Sequence, residues 1–187
     1  MTEDMLTAKI AHGFDYLDAD GDGLLSEEDH VVLGQRAAAE LGHAPGSVEE
    51  GWIIAAYVDI WTGLHRPHLP EGEDVIDKAT FVAATRTLAG DPAAADATVG
   101  KLARTFHSIA DADGSGDVNR DEFKRFSRSH FPNLGDEDIA TAFKHLDIDG
   151  DGTLTEEEFV GAVVEYWSST DPEAPGNWWM GEPVYER

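Results

Sequence analysis

The sequence predicts an all-α fold of four helix–loop–helix units in two pairs, with short β-bridges between paired loops. Three observations predict it. A twelve-residue acidic loop recurs three times along 187 residues, each time between two stretches of helical apolar periodicity. Each loop ends in a capping box that opens the following helix: Ser26 with Asp29, Asn119 with Glu122, and Thr155 with Glu158. Each also has an apolar residue at its eighth position (Leu25, Val118, Leu154), where paired loops exchange a short bridge.

The last loop is the most complete. Asp147, Asp149 and Asp151, at positions 1, 3 and 5, place three carboxylates on one concave side of a tight turn. Gly152 at position 6 lets the chain turn where a Cβ would clash. Thr153 offers its carbonyl, Thr155 a ligand made directly or through water, and Glu158 both carboxylate oxygens from the first turn of the next helix. Oxygen donors alone suit Ca²⁺ or Mg²⁺, not zinc or copper. The spacing is that of the EF-hand. It returns in Asp111, Asp113, Ser115, Asp117 (carbonyl), Asn119 and Glu122, and in Asp18, Asp20, Asp22, Leu24 (carbonyl), Ser26 and Asp29. Three Ca²⁺ sites are therefore expected. Asp29 stands where most EF-hands have Glu, and its shorter arm offers one oxygen more readily than two. The first loop is thus expected to be the least Ca²⁺-selective and the one that holds Mg²⁺.

Composition fits this reading. Of 38 acids, 17 fall in the three loops, where Arg120 is the one base, against a net charge of −25 for the chain. Such a surface repels phosphate backbones, so neither nucleic acid nor an anionic membrane is expected as a partner. With 41% hydrophobic residues the chain can bury a core, as one domain or as two closely packed lobes. There is no cysteine, hence no disulfide or thiolate chemistry. Met-Thr-Glu-Asp-Met does not read as a signal peptide, Thr2 excludes myristoylation, and Trp52–Trp61 is too short to span a bilayer. A cytoplasmic protein, monomeric and with no assigned target protein, is the expectation.

Taken in order, residues 3 to 17 read as an entering helix with Ile10, Phe14 and Leu17 inward, and residues 26 to 41 as its exiting helix, stopped by Gly42 and Pro45. Ser47 and Glu50 form another capping box, before a helix whose Trp52, Ile53, Ala56, Tyr57, Ile60 and Trp61 make a broad apolar face. The loop that should follow is degenerate. With Ile76 at position 8, Leu69 takes position 1, Pro70 position 2 and Thr80 position 12, and neither end can chelate. It is expected to be metal-free and to serve as the partner of the first loop. Gly90-Asp91-Pro92 marks the boundary between an N-terminal pair (1–91) and a C-terminal pair (92–187). The third hand is expected to enter over Ala93–Ile109, with Leu102, Phe106 and Ile109 inward and His107 as a core histidine with one nitrogen satisfied. Phe123 and Phe126 line its exiting helix; Phe159, Val163 and Trp167 line that of the fourth hand. In the tail, two prolines within four residues forbid helix, and Trp178-Trp179-Met180 is expected to dock on the body.

The degenerate second hand, Asp29, and the tail from Ser169-Thr170-Asp171-Pro172 to Gly176-Asn177-Trp178 make the chain resemble the calerythrin and sarcoplasmic calcium-binding protein family. That resemblance implies both EF-hand pairs packed into one body, and a high-affinity Ca²⁺/Mg²⁺ buffer rather than an enzyme. A Ca²⁺ sensor with a target helix is the alternative, disfavoured by a methionine content limited to Met1, Met5 and Met180. A photoprotein or luciferin carrier shares the fold. Five Trp, four Tyr and eight His would suit such a cavity, but aromatics filling a fused core are the simpler expectation. No protease, P-loop or nucleophile-elbow motif is present, and His65 and His68 sit in a Pro-containing loop without an evident third ligand.

Overall fold

In the computed structural model, which describes residues 4–69 and 71–183, helix α1 (Met5–Leu17) begins at Asp4, whose carboxylate accepts the Thr7 N–H at 3.1 Å. The expected helix start at residue 3, Met1, Thr2, Pro70 and the last four tail residues lie outside the described residues. α1 buries Leu6, Ile10 and Phe14 at helical spacing, while Leu17 is half-buried. The first loop then leads through β1 (Leu24–Leu25) to α2 (Glu27–Glu40), and α3 (Val48–Ile60) returns antiparallel to it. β2 (Ile76–Asp77) precedes α4 (Lys78–Arg86). Leu25 pairs with Ile76, the register expected for position 8 of the two loops.

The second half opens with α5 (Pro92–Ala95), capped by Asp91, and continues through a π-turn over Asp96–Gly100 into α6 (Lys101–Ala110). β3 (Val118–Asn119), α7 (Arg120–His130), α8 (Asp136–Leu146), β4 (Thr153–Leu154) and α9 (Glu156–Ser168) complete the third and fourth hands. Here Val118 pairs with Leu154. Contacts of α2 with α7, of α3 with α6, and of α1 and α4 with α9 join the two pairs around one continuous apolar core. The one-body packing implied by the family resemblance is what the structure has.

Several expectations are corrected. At Ser47 the hydroxyl accepts the Glu50 N–H at 3.1 Å, but the Glu50 carboxylate turns to the Gly46 N–H, so the box closes on one side only. Trp52 is 56% exposed, because the buried stripe of α3 runs through Ile53, Tyr57 and Ile60 and leaves residue 52 on its flank. The chain does not leave helix at Thr62: a π-turn, Trp61–His65, and a 3₁₀ turn, Arg66–His68, extend α3. In the tail, Pro175–Trp178 forms a 3₁₀ turn, with Pro175 at a first position where its missing N–H is not needed.

The tail docks as expected. Trp179 and Met180 are buried, and Trp178 stacks on His145 with ring centroids 3.7 Å apart. It is clasped from below by Lys9. This fully buried amine donates to the Glu165 and Ser169 carbonyls at 3.1 and 2.8 Å and to Asn177 Oδ1 at 2.9 Å. Burial lowers its pKa to about 8.

Candidate functional site

Three carboxylate clusters lie where the sequence places them. In the third loop Asp111, Asp113 and Glu122 bring ligand oxygens within 4.8 Å of one another, and Asp147, Asp149 and Glu158 do the same in the fourth. In the first loop the cluster is Asp18, Asp20 and Asp22, without Asp29. Among the described residues the second loop contributes no such group. It keeps the position-8 bridge to Leu25 and the capping function of position 9, Asp77 Oδ1 accepting the Thr80 N–H at 2.7 Å.

The loops are shaped by their own backbones. The N–H groups of the position-6 glycines point to the position-1 carboxylates: Gly23 to Asp18 at 2.8 Å, Gly116 to Asp111 at 2.9 Å and Gly152 to Asp147 at 3.1 Å. Their φ values of 86°, 97° and 95° lie in the left-handed region that excludes most side chains. The position-12 carboxylate crosses the loop. Glu122 accepts from the Ala112, Asp113 and Asn119 N–H groups at 2.9–3.2 Å, and Glu158 from Ile148 and Thr155 at 2.9 and 3.0 Å. Asp29 accepts the corresponding N–H groups of Ala19 and Ser26, at 2.9 and 2.7 Å, from one methylene less of reach.

All three boxes at the loop ends are complete, so the residue that would grip an ion also fixes N3 of its helix. Leu24 and Thr153, expected to give carbonyls, lie in β1 and β4. Asp117 lies just before β3, its carbonyl accepting the Ser115 hydroxyl at 3.0 Å.

These groups fit a hard cation. Asp147 Oδ1 is buried with no hydrogen-bond partner, an oxygen left for an added ligand, and beside the carboxylates of Asp149 and Glu158 a cation suits it. Hydrogen bonds from the side chain and backbone of Ser115 hold Asp113 below the usual carboxylate range, and those from the Thr153 backbone and hydroxyl do the same for Asp151. Burial pushes Glu158 up, but hydrogen bonds from Thr155, Ile148 and Asp149 outweigh it. When bound, Ca²⁺ supplies the positive charge these loops lack. Asp18, Asp20, Asp22, Asp111, Asp113, Glu122, Asp147, Asp149 and Glu158 are the side chains placed to hold it.

A second feature was not foreseen. Aromatics do not fill the fused core: a cavity of about 380 Å³ lies between the two pairs. Tyr57, Phe106, His130, Trp167 and Trp179 line it, and its exposed rim is formed by Thr80, Ala84 and Thr87, on and after α4. The π-turn after α3 carries Leu64 and His65 to its wall, so His65 belongs to the cavity and not to a loop. Trp167 reaches the lining because Gly13 has no side chain; a Cβ there would sit 2.3 Å from the indole. Inside, His130 Nδ1 donates to the Phe126 carbonyl at 2.9 Å, which leaves Nε2 to accept the Tyr57 hydroxyl. Burial lowers the His130 pKa to about 4 and raises that of Tyr57. His30 donates Nδ1 to the Ser26 carbonyl at 2.8 Å, and its Nε2 has no partner. His107 is a core residue, edge-on to Phe159 at 5.4 Å, with Nε2 unpartnered. His30, Leu33 and Ala37 share one buried stripe of α2, a spacing that would have placed His30 inward, although it was not among the inward residues expected; the cavity itself has no such signature.

Residues 114–166 match an EF-hand domain pair model, and residues 10–29 match an EF hand model. Obelin of Obelia geniculata is 25% identical over 177 residues, 91% of this chain and 87% of obelin. Calerythrin of Saccharopolyspora erythraea is 23% identical over 168 residues, 89% of this chain and 94% of calerythrin. The fold is shared with the coelenterazine-binding protein of Renilla muelleri in its Ca-loaded apo form. That structure aligns with a TM-score of 0.76 and 23% identity, covering 97% of this chain and 99% of the other.

Proposed function

We propose that this Ca²⁺-binding EF-hand protein carries a small aromatic ligand in its central cavity and that Ca²⁺ governs how tightly it does so. The observation that carries the reading is the cavity of about 380 Å³, apolar in most of its wall and lined by α1, α2, α6, α7 and α9, which begin or end at the metal loops, together with α3 and α4, which flank the metal-free one. The likeness to obelin and to a coelenterazine-binding protein supports it, and makes coelenterazine the first compound to try. The sequence-based expectations of a cytoplasmic location and no catalytic role fit a carrier. Because α2, α7 and α9 each start on a position-12 ligand, occupancy of the loops reaches the walls through helix geometry.

The test is fluorescence titration of the purified chain with coelenterazine, with Ca²⁺ and after chelation. Trp61, Trp167 and Trp179 lie around the core and report directly. Saturable one-to-one quenching, with an affinity that changes on removing Ca²⁺, is expected. No quenching in either state would return the protein to the second reading, a plain Ca²⁺ buffer, which the likeness to calerythrin favours. In either reading we propose the first loop as the least Ca²⁺-selective, because Asp29 stays out of its cluster.

A further inference from the structure

Away from the cavity and the metal loops, the outer face of α3 stands in solvent with apolar side chains on it, and we infer that it docks a basic amphipathic helix of another protein. Val48 is 85% exposed and Trp52 56%, two of the three large apolar residues exposed among the described ones. Four residues apart, they are neighbours on one helix face. Exposed Ala55 and Asp59 continue the same line toward the C-terminal end of α3. Beside them Gly51 has no side chain, and nothing lies within 4 Å of where its Cβ would be, so the strip is open to close approach.

The fold itself does not use these residues. α3 enters the core through Ile53, Tyr57 and Ile60. It meets α2 at Ile54, so closely that a Cβ on Gly34 would come within 2.8 Å of the Ile54 backbone. With its inward faces filled, the helix has no packing use for a Trp and a Val on the remaining one. Both are weaker helix formers than Lys, Glu or Gln, which suit a wet face better. Single apolar side chains are ordinary on a surface, whereas two adjoining ones, one of them an indole, make an interface anchor.

Charge names the occupant. Residues 37–65 contain no Lys or Arg and four acids, Glu40, Glu49, Glu50 and Asp59. Glu50 turns to the Gly46 N–H; the other three are exposed and form no ion pair among the described residues. An apolar strip in such a field suits a helix that lays apolar side chains on Val48 and Trp52 and brings Lys or Arg to Glu49 and Asp59. A second copy of this chain would bring the same carboxylates and a net charge of −25 to the contact. An anionic membrane or a nucleic acid would be repelled in the same way.

The experiment uses the full Ca²⁺-loaded chain and two labelled Leu/Lys peptides of equal length and composition, read by fluorescence anisotropy. One is arranged as an amphipathic helix and the other is scrambled to have no apolar face. The helix should bind about tenfold more tightly than the scramble, and Val48→Ser/Trp52→Ser should remove that advantage. Both positions are exposed, so an unchanged melting temperature checks that the variant folds. In the wild type, the indole ¹H–¹⁵N resonance that disappears in Trp52→Ser should shift when the helix binds. No binding, or equal affinity for the two peptides, would overturn the proposal, the second by reducing the attraction to net charge. An advantage that survives in the double variant, or an unmoved Trp52 resonance with the helix bound, would also overturn it by placing the helix elsewhere. Dimerisation of the peptide-free wild type that the double variant abolishes would make a second copy the occupant instead.

Discussion

In the C-terminal pair each loop gathers positions 1, 3 and 12 into one cluster, whereas the first loop gathers positions 1, 3 and 5 and leaves Asp29 aside. The hydrogen bonds of Asp29 to the loop backbone match those of Glu122 and Glu158, so the difference is one methylene of reach. Its partner, the second loop, has no cluster among the described residues. The helix that follows that loop, α4, is the one at the cavity rim. One half of the molecule thus has two complete grips on its helices. The other has one shortened grip and one helix that no ion holds, and there the interior meets solvent. Here the half that lacks metal ligands in its second loop is also the half whose helix α4 borders the cavity.

The largest effect should come from emptying the C-terminal pair. A site held at 100-fold above its dissociation constant adds about 2.7 kcal/mol of stability, so the two sites together add about 5 kcal/mol. The double variant Glu122→Gln/Glu158→Gln should lose most of this in Ca²⁺-dependent thermal unfolding. Asp29→Asn should lose less than one site's worth, since Asp29 is outside its cluster. Equal losses per site would erase the distinction between the halves.

Next comes an acid effect seated between the pairs. His130 has its pKa lowered from 6.5 to about 4 by burial. As pH falls from 6.5 to 4 the unfolded chain takes up this proton and the folded chain does not. The stabilising preference for the neutral ring is therefore present above that window and lost within it, by about 3 kcal/mol in all. Denaturant unfolding of the Ca²⁺-free protein at steps through this range should show the loss. The double variant Tyr57→Phe/His130→Leu, which removes both partners together, should flatten it. An unchanged slope would place the acid sensitivity elsewhere.

The smallest effect sharpens the comparison most. Asp29→Glu restores the missing methylene and should raise the Ca²⁺-over-Mg²⁺ preference of the first loop by about tenfold, on the order of 1.4 kcal/mol, with the other loops nearly unchanged. Competition calorimetry on the variant and wild type measures it.

The metal loops were legible because each ligand set is contiguous: twelve residues, with the turn glycine and the cap supplied by the same segment. The β-register was legible for the same reason, through Ile76 opposite Leu25. The cavity was not. Emptiness arises from how α1, α3, α4, α6 and α9 meet, and no local pattern records it. His65 was hidden by the π-turn, which continues helix through a stretch that reads as loop. Trp52 misled because an aromatic beside an apolar stripe reads as part of it.

The position-6 amides give the most direct test, since Gly23, Gly116 and Gly152 each donate to the first ligand of its own loop. Their ¹H–¹⁵N resonances, followed as Ca²⁺ is added to the Mg²⁺-equilibrated wild type, read each loop separately. Gly116 and Gly152 should shift at lower free Ca²⁺ than Gly23, while Gly72 in the second loop follows no saturable step of its own. All three moving together, Gly23 moving first, or a separate saturating shift at Gly72 would contradict the account.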